Sequence, residues 1–387
     1  MFANFRPGHL SKAFMWKRWF ILLAVAASLF SSRAAEKKKD AADALFRDPS
    51  VHTLQIEIST ANLSKLTQAN RDYVRATVRD GDVVLRDAGV RLKGHGTFQP
   101  VDKKPAFAIK FNEFVTGQEY RGLSKLVLNN SVSDASYIRE WLAAELYREA
   151  GIPAARVTHV RVQLNGRDLG FYVLAEAMNK GFLKREFGNG GGNLYEGETK
   201  DVDQKLDQEN GDDTSQNDLK RLVAAAKAPA AQRLAKLQTV LDLEQFTAFL
   251  AMEMLTAGID GYAFNRNNYR VYHHPTTEKL IFLPHGLDAT FGSASFKPPT
   301  GSLIVKALWE LPDFQQQYRA RLGELAEKVW RVDRLTNRVN SALARLTGAA
   351  STPAVASALE KEAKTLRYQI EQQHRFIKAD LKHASRD

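Results

Sequence analysis

Two short polar signatures, Asp260 to Asn265 (DGYAFN) and Leu287 to Gly292 (LDATFG), flank a hairpin-like stretch, and their residue types suit one chemistry. An Asp, an Asn five positions on, and a second Asp beside Phe-Gly after a hairpin is the order in which kinase-type phosphotransferases present a base and magnesium ligands. In that scheme Asp260 orients the acceptor hydroxyl. Asp288 is the main magnesium carboxylate, and Asn265 is a further ligand with Asn267 and Asn268 as rivals. Magnesium takes hard oxygen donors and usually only one or two carboxylates. Singly, each residue has a plainer reading, the Asp residues as caps and the Asn residues as a polar turn. Their order after an apolar helix and across a hairpin is what gives the set weight.

Phosphoryl transfer also needs a cation on the nucleotide phosphates and donors that cradle them. Lys110, at the end of the strand-like Ala108-Ile109-Lys110, matches the nucleotide lysine. Lys104 lies six residues earlier on the same face by period two and rivals it. The turn Lys93 to Phe98 (KGHGTF) offers Lys93, and Gly94 and Gly96 would let backbone amides approach an anion. The third glycine of the usual loop is missing. Glu140 or Glu145 would orient the lysine from a helix, with nothing in the pattern to choose between them. Glu176 ends a strand, either at an inter-lobe hinge beside the nucleotide base or as an ordinary strand-end acid.

Composition narrows the alternatives. The chain has 387 residues, 44% hydrophobic and 26% charged, with no cysteine. Disulfide frameworks, thiolate catalysis and cysteine-ligated metal are therefore excluded. The formal charge is +11; the first 35 residues hold five basic groups and no acid, and beyond them 50 basic groups face 44 acids, leaving +6. That surplus is ordinary solubility charge, though it favours acidic partners or polyphosphate. Basic residues do not interleave with aromatics, so no specific nucleic-acid signal is present. The stretch Asp201 to Asp218 reads as acidic, polar and mobile; within it Asp201, Asp203, Asp207, Asp212 and Asp213 lack the glycine and final glutamate of a calcium loop and read as a solvated acidic loop. His273-His274 lacks zinc spacing, and there is no G-x-S-x-G.

Residues 1–35 read as an export signal. A basic stretch ending at Lys17-Arg18 precedes an apolar run from Trp19 to Phe30, followed by small residues suited to cleavage near Ala34 or Ala35. The run is short for a bilayer span, leaving an uncleaved N-terminal anchor as the rival reading. No other segment is long and apolar enough to span. The expected location is secreted, periplasmic or cell-envelope.

The elements that must position these residues follow from periodicity. Strands are expected at Val51 to Ser59, on either side of Asp80-Gly81, at Arg91 to Gln99 and at Pro105 to Phe111. Ser133 to Ala150 reads as a helix stopped by Gly151. Asn165-Gly166 marks a hairpin. Leu241 to Leu255 is a strongly apolar helix delivering the chain to Asp260. A small hairpin joins Asn268 to Tyr272 with Lys279 to Leu283, and the remainder is helical with a break near Gly348 to Pro353. Strands first and helices later indicate α+β. The expected organisation is residues 1–35 as signal peptide, 36–50 as linker, 51–178 as a β-rich lobe with one helix, and 179–387 as a helical lobe with the catalytic hairpin. That is an atypical, two-lobed, protein-kinase-like fold.

Taken together, RLKGHG at 91–96, KPAFAIKF at 104–111, DASYIR at 134–139, NGRDLGFYVLAE at 165–176, the run 260–269 and the run 284–292 resemble the CotH kinase family, named for a bacterial spore coat protein. The resemblance covers roughly residues 90–291. It implies an exported kinase-like fold that uses ATP and Mg²⁺ or Mn²⁺ to phosphorylate Ser or Thr of extracytoplasmic protein substrates. By position it implies Lys110 as nucleotide lysine, Asp260 as catalytic aspartate and Asp288 as metal aspartate. One departure stands out. Where the family often reads Pro-Trp-Asp-x-Asp, this chain has Pro284, His285, Gly286, Leu287 and Asp288, lacking the Trp and the first Asp. The rival functions are therefore a catalytically weak pseudokinase serving as a cell-surface binding module, and AMP transfer from the same ATP site. Oligomeric state is not legible.

Overall fold

Alternation of apolar and polar residues builds the first half of the chain into a closed seven-stranded barrel, seen in a computed structural model that describes Met1 and residues 41–67, 69–295 and 297–384. Apart from Met1, the expected signal peptide lies outside the described residues. The barrel strands are β1 (His52–Glu57), β2 (Val74–Asp80), β3 (Val83–Lys93), β4 (Ala106–Lys110), β5 (Lys125–Asn129), β6 (Val157–Leu164) and β7 (Arg167–Glu176). Their order is β1-β2-β3-β4-β5-β7-β6, antiparallel except where β6 meets β1 in parallel and closes the ring. The Asn165-Gly166 turn takes φ of 48° and 79°, the positive pair that a two-residue type I′ hairpin demands. The Asn165 side chain also pins β1: its Oδ1 accepts from Ile58 N at 2.7 Å and its Nδ2 donates to Ile58 O at 2.9 Å.

Register decides which side chains leave the barrel. Leu92 pairs with Phe107, and Phe107 with Leu128; all three are fully buried. Successive residues point to opposite faces, so Lys93, Ala106 and Asn129 form the next row across three strands on the other face. Lys93 pairs directly with Ala106. The outward face of β5, β7 and β6 carries Val127, Val173, Ala175 and Val157, and α2 (Arg139–Glu149) covers it through Trp141 and Ala144. This helix starts later than periodicity suggested, because Asp134 turns the chain first. Asp134 accepts from Ser136 N at 3.0 Å and from Arg139 N at 2.9 Å, capping the helix. A single turn, α1 (Thr60–Leu63), precedes β2.

The second half is helical around a small sheet. After α3 (Lys180–Phe187), β8 (Leu194–Gly197) and β9 (Asp207–Asn210) join β10 (Tyr269–His273) and β11 (Leu280–Pro284) in the order β11-β10-β8-β9. Helices α4 (Asn217–Ala226), α5 (Ala230–Val240) and α6 (Leu243–Leu255) intervene, followed by the single turn α7 (Tyr262–Asn265). The chain ends in α8 (Leu303–Trp309), α9 (Pro312–Lys328), α10 (Val332–Gly348) and α11 (Pro353–Ala384). Nearly every residue of α6 is buried, so it forms the axis of the main core, packed on by α9 and β11. Among the described residues no helix is long and apolar enough to cross a membrane. Ala44–Asp387 forms one compact unit holding both the barrel and the helices.

The expected solvated stretch from Asp201 to Asp218 holds for Asp203, Asp207, Asp212 and Asp213, which are exposed, and is corrected elsewhere: it contains β9, and both its end carboxylates are buried. Asp201 accepts from Tyr262 Oη at 2.9 Å, Val202 N at 2.7 Å and Leu303 N at 2.7 Å; Asp218 accepts from Tyr195 Oη at 2.8 Å. A run of acids reads as solvated until the fold supplies these donors.

Candidate active site

The row of residues leaving the barrel begins the site. Lys93 reaches across the small Ala106 side chain, and its Nζ donates to Asn129 Oδ1 at 2.6 Å. Asn129 Nδ2 in turn donates to both carboxylate oxygens of Glu140 at 2.8 Å. All three come from different elements, β3, β5 and α2. Burial lowers the Lys93 pKa, opposed by the negative charges of Glu140, Glu196 and Asp288. Burial and the Asp288 charge push Glu140 up to about 7, with Lys93 and Asn129 pulling the other way. Glu145, the rival on the same helix, pairs with Arg148 and is 37% exposed.

The Asp260 loop is built from inside the core. Glu253, buried on α6, accepts from Tyr262 N at 2.6 Å and Ala263 N at 3.1 Å, so it caps the one-turn helix α7. Burial pushes Glu253 up to about 8 despite those two donors. Gly261 is required by this approach: a Cβ there would stand 2.1 Å from Glu253 Oε1. Asp260 collects three carboxamides. Asn265 Nδ2 donates to its Oδ1 at 3.0 Å, and Asn267 and Asn268 donate to its Oδ2 at 3.0 and 2.7 Å.

Asp288 arrives from the other side of the hairpin. His285 N donates to Asn268 O at 3.0 Å, locking the end of β11 to the start of β10. Gly286 then takes φ +56°, and a Cβ there would lie 2.4 Å from Asn268 Oδ1. The space of the missing first acid is thus occupied by Asn268. Burial raises the Asp288 pKa; the nearby Asp260 charge adds to this, while Lys93 and a hydrogen bond with Ser133 oppose it. His285 is half-buried and held neutral, pushed down to about 3 by loss of solvent and the Arg270 guanidinium, although Glu196 Oε1 is 3.3 Å away. Burial alone would raise Glu196, but the Arg270 guanidinium, by its charge and a hydrogen bond, holds it at about 2.

One cleft of about 350 Å³ gathers these groups. Lys93, Gly94, Gly96, Asp260, Asn267 and Asp288 all line it, together with Ser131, Ser133, Glu196 and Asn268. The volume falls in the range of small-ligand sites, roughly 300–1,000 Å³. Ser131 Oγ is buried at the wall with no hydrogen-bond partner. Among the described residues no cluster of three or more His, Cys, Asp or Glu forms a metal cage.

Other expected site residues fall elsewhere. Lys110 shares the outward face with Ala106, but four residues along β4, about 13 Å at ~3.3 Å per residue. There it pairs with Glu113 at 2.7 Å and is 42% exposed, so the structure corrects its place: right face, wrong end of the strand. Lys104 donates to Tyr137 Oη at 2.6 Å, lies over the Tyr137 and Tyr172 rings, and is pushed down to about 8 by burial. It too is absent from the cleft lining. Glu176 is buried, accepts from Arg156 Nη2 at 2.8 Å and from Arg185, and lines a smaller neighbouring cavity with Val127, Met178 and Leu287. Asn265 is exposed and meets the site only through Asp260. Asn129, Ser131, Ser133 and Glu196 were missed. The one available signal was the Asn129-Asn130 pair closing an apolar strand.

A family model described as CotH kinase protein matches residues 90–382. The chain belongs to the CotH kinase family. The CotH match takes in every residue lining the cleft and continues into α11. Inner spore coat protein H of Bacillus subtilis is 21% identical over 270 residues, 63% of this chain and 73% of that protein. Invasin CotH7 of Rhizopus delemar is 28% identical over 197 residues, 46% of this chain and 32% of the invasin. Invasin CotH2 of the same fungus is 26% identical over 251 residues, 55% and 42% respectively. The chain therefore spans less than half the length of these invasins. Among solved structures, the Helicobacter pylori proinflammatory kinase CtkA overlaps 70% of this chain and 93% of its own, at 8% identity and TM-score 0.35. The Shewanella oneidensis HipA–HipB–operator DNA complex overlaps 76% and 66%, at 12% identity and TM-score 0.33. Both scores fall below 0.5, and the family assignment rests on the sequence match.

Proposed function

We propose that this protein is an extracytoplasmic protein kinase with a two-lobed, kinase-like arrangement, transferring the γ-phosphate of ATP to a Ser or Thr hydroxyl of a protein substrate. The observation that carries the reading is the Lys93–Asn129–Glu140 chain opening onto the same cleft as Asp260 and Asp288. Lys93 is the cation for the nucleotide phosphates, held extended by Asn129 and Glu140. The Gly94 to Thr97 turn and Ser131 Oγ supply donors along the phosphates. Asp260, fixed by three Asn amides, orients the acceptor hydroxyl and takes its proton as that oxygen bonds to the γ-phosphorus and the bridging bond to ADP breaks. The donor set suits Mg²⁺ or Mn²⁺: Asp288 and the Asn267 and Asn268 side-chain oxygens are hard, few, and leave positions for phosphate and water. When bound, the metal would neutralise charge on the β- and γ-phosphates. Relatives named as a spore coat protein and as invasins favour a surface or extracellular location.

Labelled ATP with the purified protein tests this. The expected outcome is γ-label incorporation, lost in Asp260→Ala, Asp288→Ala and Lys93→Met, and retained in Lys110→Met. Incorporation of α-label instead would indicate AMP transfer. A second reading, a non-catalytic surface-binding module, draws on Gly286, where Asn268 stands in place of an acid. It predicts no thermal shift with ATP and Mn²⁺ and no labelling by either isotope.

A further inference from the structure

We infer that Gln373, on the C-terminal helix α11, is a positioning residue for the catalytic cleft, setting the Asp288 segment against the helix that delivers Asp260. The inference rests on the kinase reading for its functional consequence, but its geometry stands alone. Gln373 is 1% exposed and uses its whole carboxamide. Its Nε2 donates to Met254 O at 2.8 Å and to Ala294 O at 3.3 Å, while its Oε1 accepts from Ala294 N at 3.2 Å. Met254 lies six residues before Asp260, and Ala294 six residues after Asp288. One side chain, more than seventy residues further along the sequence, therefore ties together the two stretches that carry the cleft carboxylates.

The next turn of α11 makes a second tie. Gln369 Oε1 accepts from Arg139 Nη2 at 2.6 Å, and Arg139 also donates to Thr290 O. Arg139 immediately precedes Glu140, so the helix end that supplies Glu140 to the Lys93 chain is held to the segment after Asp288. Between these ties, Phe291 N donates to Thr256 O at 2.6 Å, and the Phe291 ring stacks on Trp330. The segment from Asp288 to Ala294 contains no helix or strand of its own. Its backbone conformation is set by these outside partners; α11 supplies Gln373 directly and holds another, Arg139, through Gln369. Without Gln373 the buried Ala294 N–H and C=O would lose this partner, while Met254 O keeps Ala257 N at 3.2 Å, so the segment would rearrange to recover its hydrogen bonds.

The test compares Gln373→Leu, and the milder Gln369→Ala, with the parent protein. Three quantities are read: Mn²⁺ dissociation constant by electron paramagnetic resonance, affinity for ATP in EDTA, and hydrogen exchange of residues 286–295. The expected result for Gln373→Leu is at least tenfold weaker Mn²⁺ binding, metal-free ATP affinity within twofold, and faster exchange confined to 286–295. Gln369→Ala should move the same quantities in the same direction by a smaller factor. Gln373→Glu keeps the acceptor for Ala294 N but turns an oxygen toward the Met254 and Ala294 carbonyls, so exchange should stay at least as fast as in Gln373→Leu. If the variants fold and exchange in 286–295 is unchanged, the inference is overturned, whether or not the protein binds ATP. Equal weakening of Mn²⁺ and metal-free ATP binding would also overturn it, as a general structural effect. Failure of the parent protein to bind Mn²⁺ or ATP would overturn the kinase reading alone, leaving the exchange result to decide the role of Gln373.

Discussion

Restoring the acid missing at position 286 should damage the protein. Gly286 has φ +56°, a left-handed conformation that costs an L-residue roughly 1–2 kcal/mol, with Asp near the lower end. A Cβ at 286 would lie 2.4 Å from Asn268 Oδ1 and 2.7 Å from its Cγ. The obstacle is the far end of a side chain, so Asn268 swings aside and the backbone survives. What is lost is the 2.7 Å bond from Asn268 Nδ2 to Asp260. A hydrogen bond to a charged group is worth roughly 1.5–3 kcal/mol, so Gly286→Asp should cost roughly 2.5–5 kcal/mol in all. Asn268→Ala alone should cost only the roughly 1.5–3 kcal/mol of that bond. The double variant should then be about as stable as Gly286→Asp, because the same bond cannot be lost twice. The cycle should yield a coupling of roughly 1.5–3 kcal/mol. Urea unfolding in EDTA, followed by tryptophan fluorescence, measures all four corners without metal bridging the new carboxylate. A Gly286→Asp variant within about 0.5 kcal/mol of the parent, the range of inconsequential surface changes, would refute the packing argument. So would strict additivity.

Three further outcomes follow from the buried carboxylates. Glu253→Gln keeps one acceptor but must turn an amide NH₂ toward the N–H of either Tyr262 or Ala263, costing roughly 1–3 kcal/mol. Faster hydrogen exchange confined to residues 258–268 would locate that loss at the Asp260 loop. Glu176→Ala removes the carboxylate shared by Arg156 and Arg185; breaking a buried pair costs roughly 3–5 kcal/mol, and a denaturation midpoint equal to the parent's would contradict it. Glu140 holds its proton more tightly in the folded chain, at about 7 against 4.5, because of burial and the Asp288 charge. Its contribution to stability is therefore complete below about pH 4.5 and is lost as pH rises through 7, by up to about 3 kcal/mol. The parent should lose stability relative to Glu140→Gln between pH 5 and 8; parallel pH profiles would contradict this.

Much of the local architecture was legible because it depends on neighbours in sequence. The Asn165-Gly166 hairpin follows from a turn that needs positive φ twice. The apolar run of α6 has to be buried, and the β10–β11 hairpin between Asp260 and Asp288 is short enough to read from alternation. The late start of α2 was not legible, because Asp134 caps the helix with a side chain that periodicity does not weigh. The acids at Asp201 and Asp218 looked solvated because their donors come from Tyr195, Tyr262 and Leu303, 23 to 102 residues away.

Residue types and short spacings alone marked Asp260 and Asp288 as carboxylates on either side of a hairpin, and Lys93, Gly94 and Gly96 as a turn with a cation. Choosing among chemically equal candidates belonged to the tertiary structure. Lys93 and Lys110 are both strand-end lysines, and Glu140 and Glu145 both sit on α2. Only the β3–β4–β5 register brings Lys93, across Ala106, to Asn129 and so to Glu140, while leaving Lys110 about 13 Å along the strand. Likewise only the packing of Gly286 against Asn268 reveals which side chain fills the space of the absent acid. Periodicity assigns a face, but it takes long-range pairing to assign a distance, and the chemistry of this cleft depends on distance.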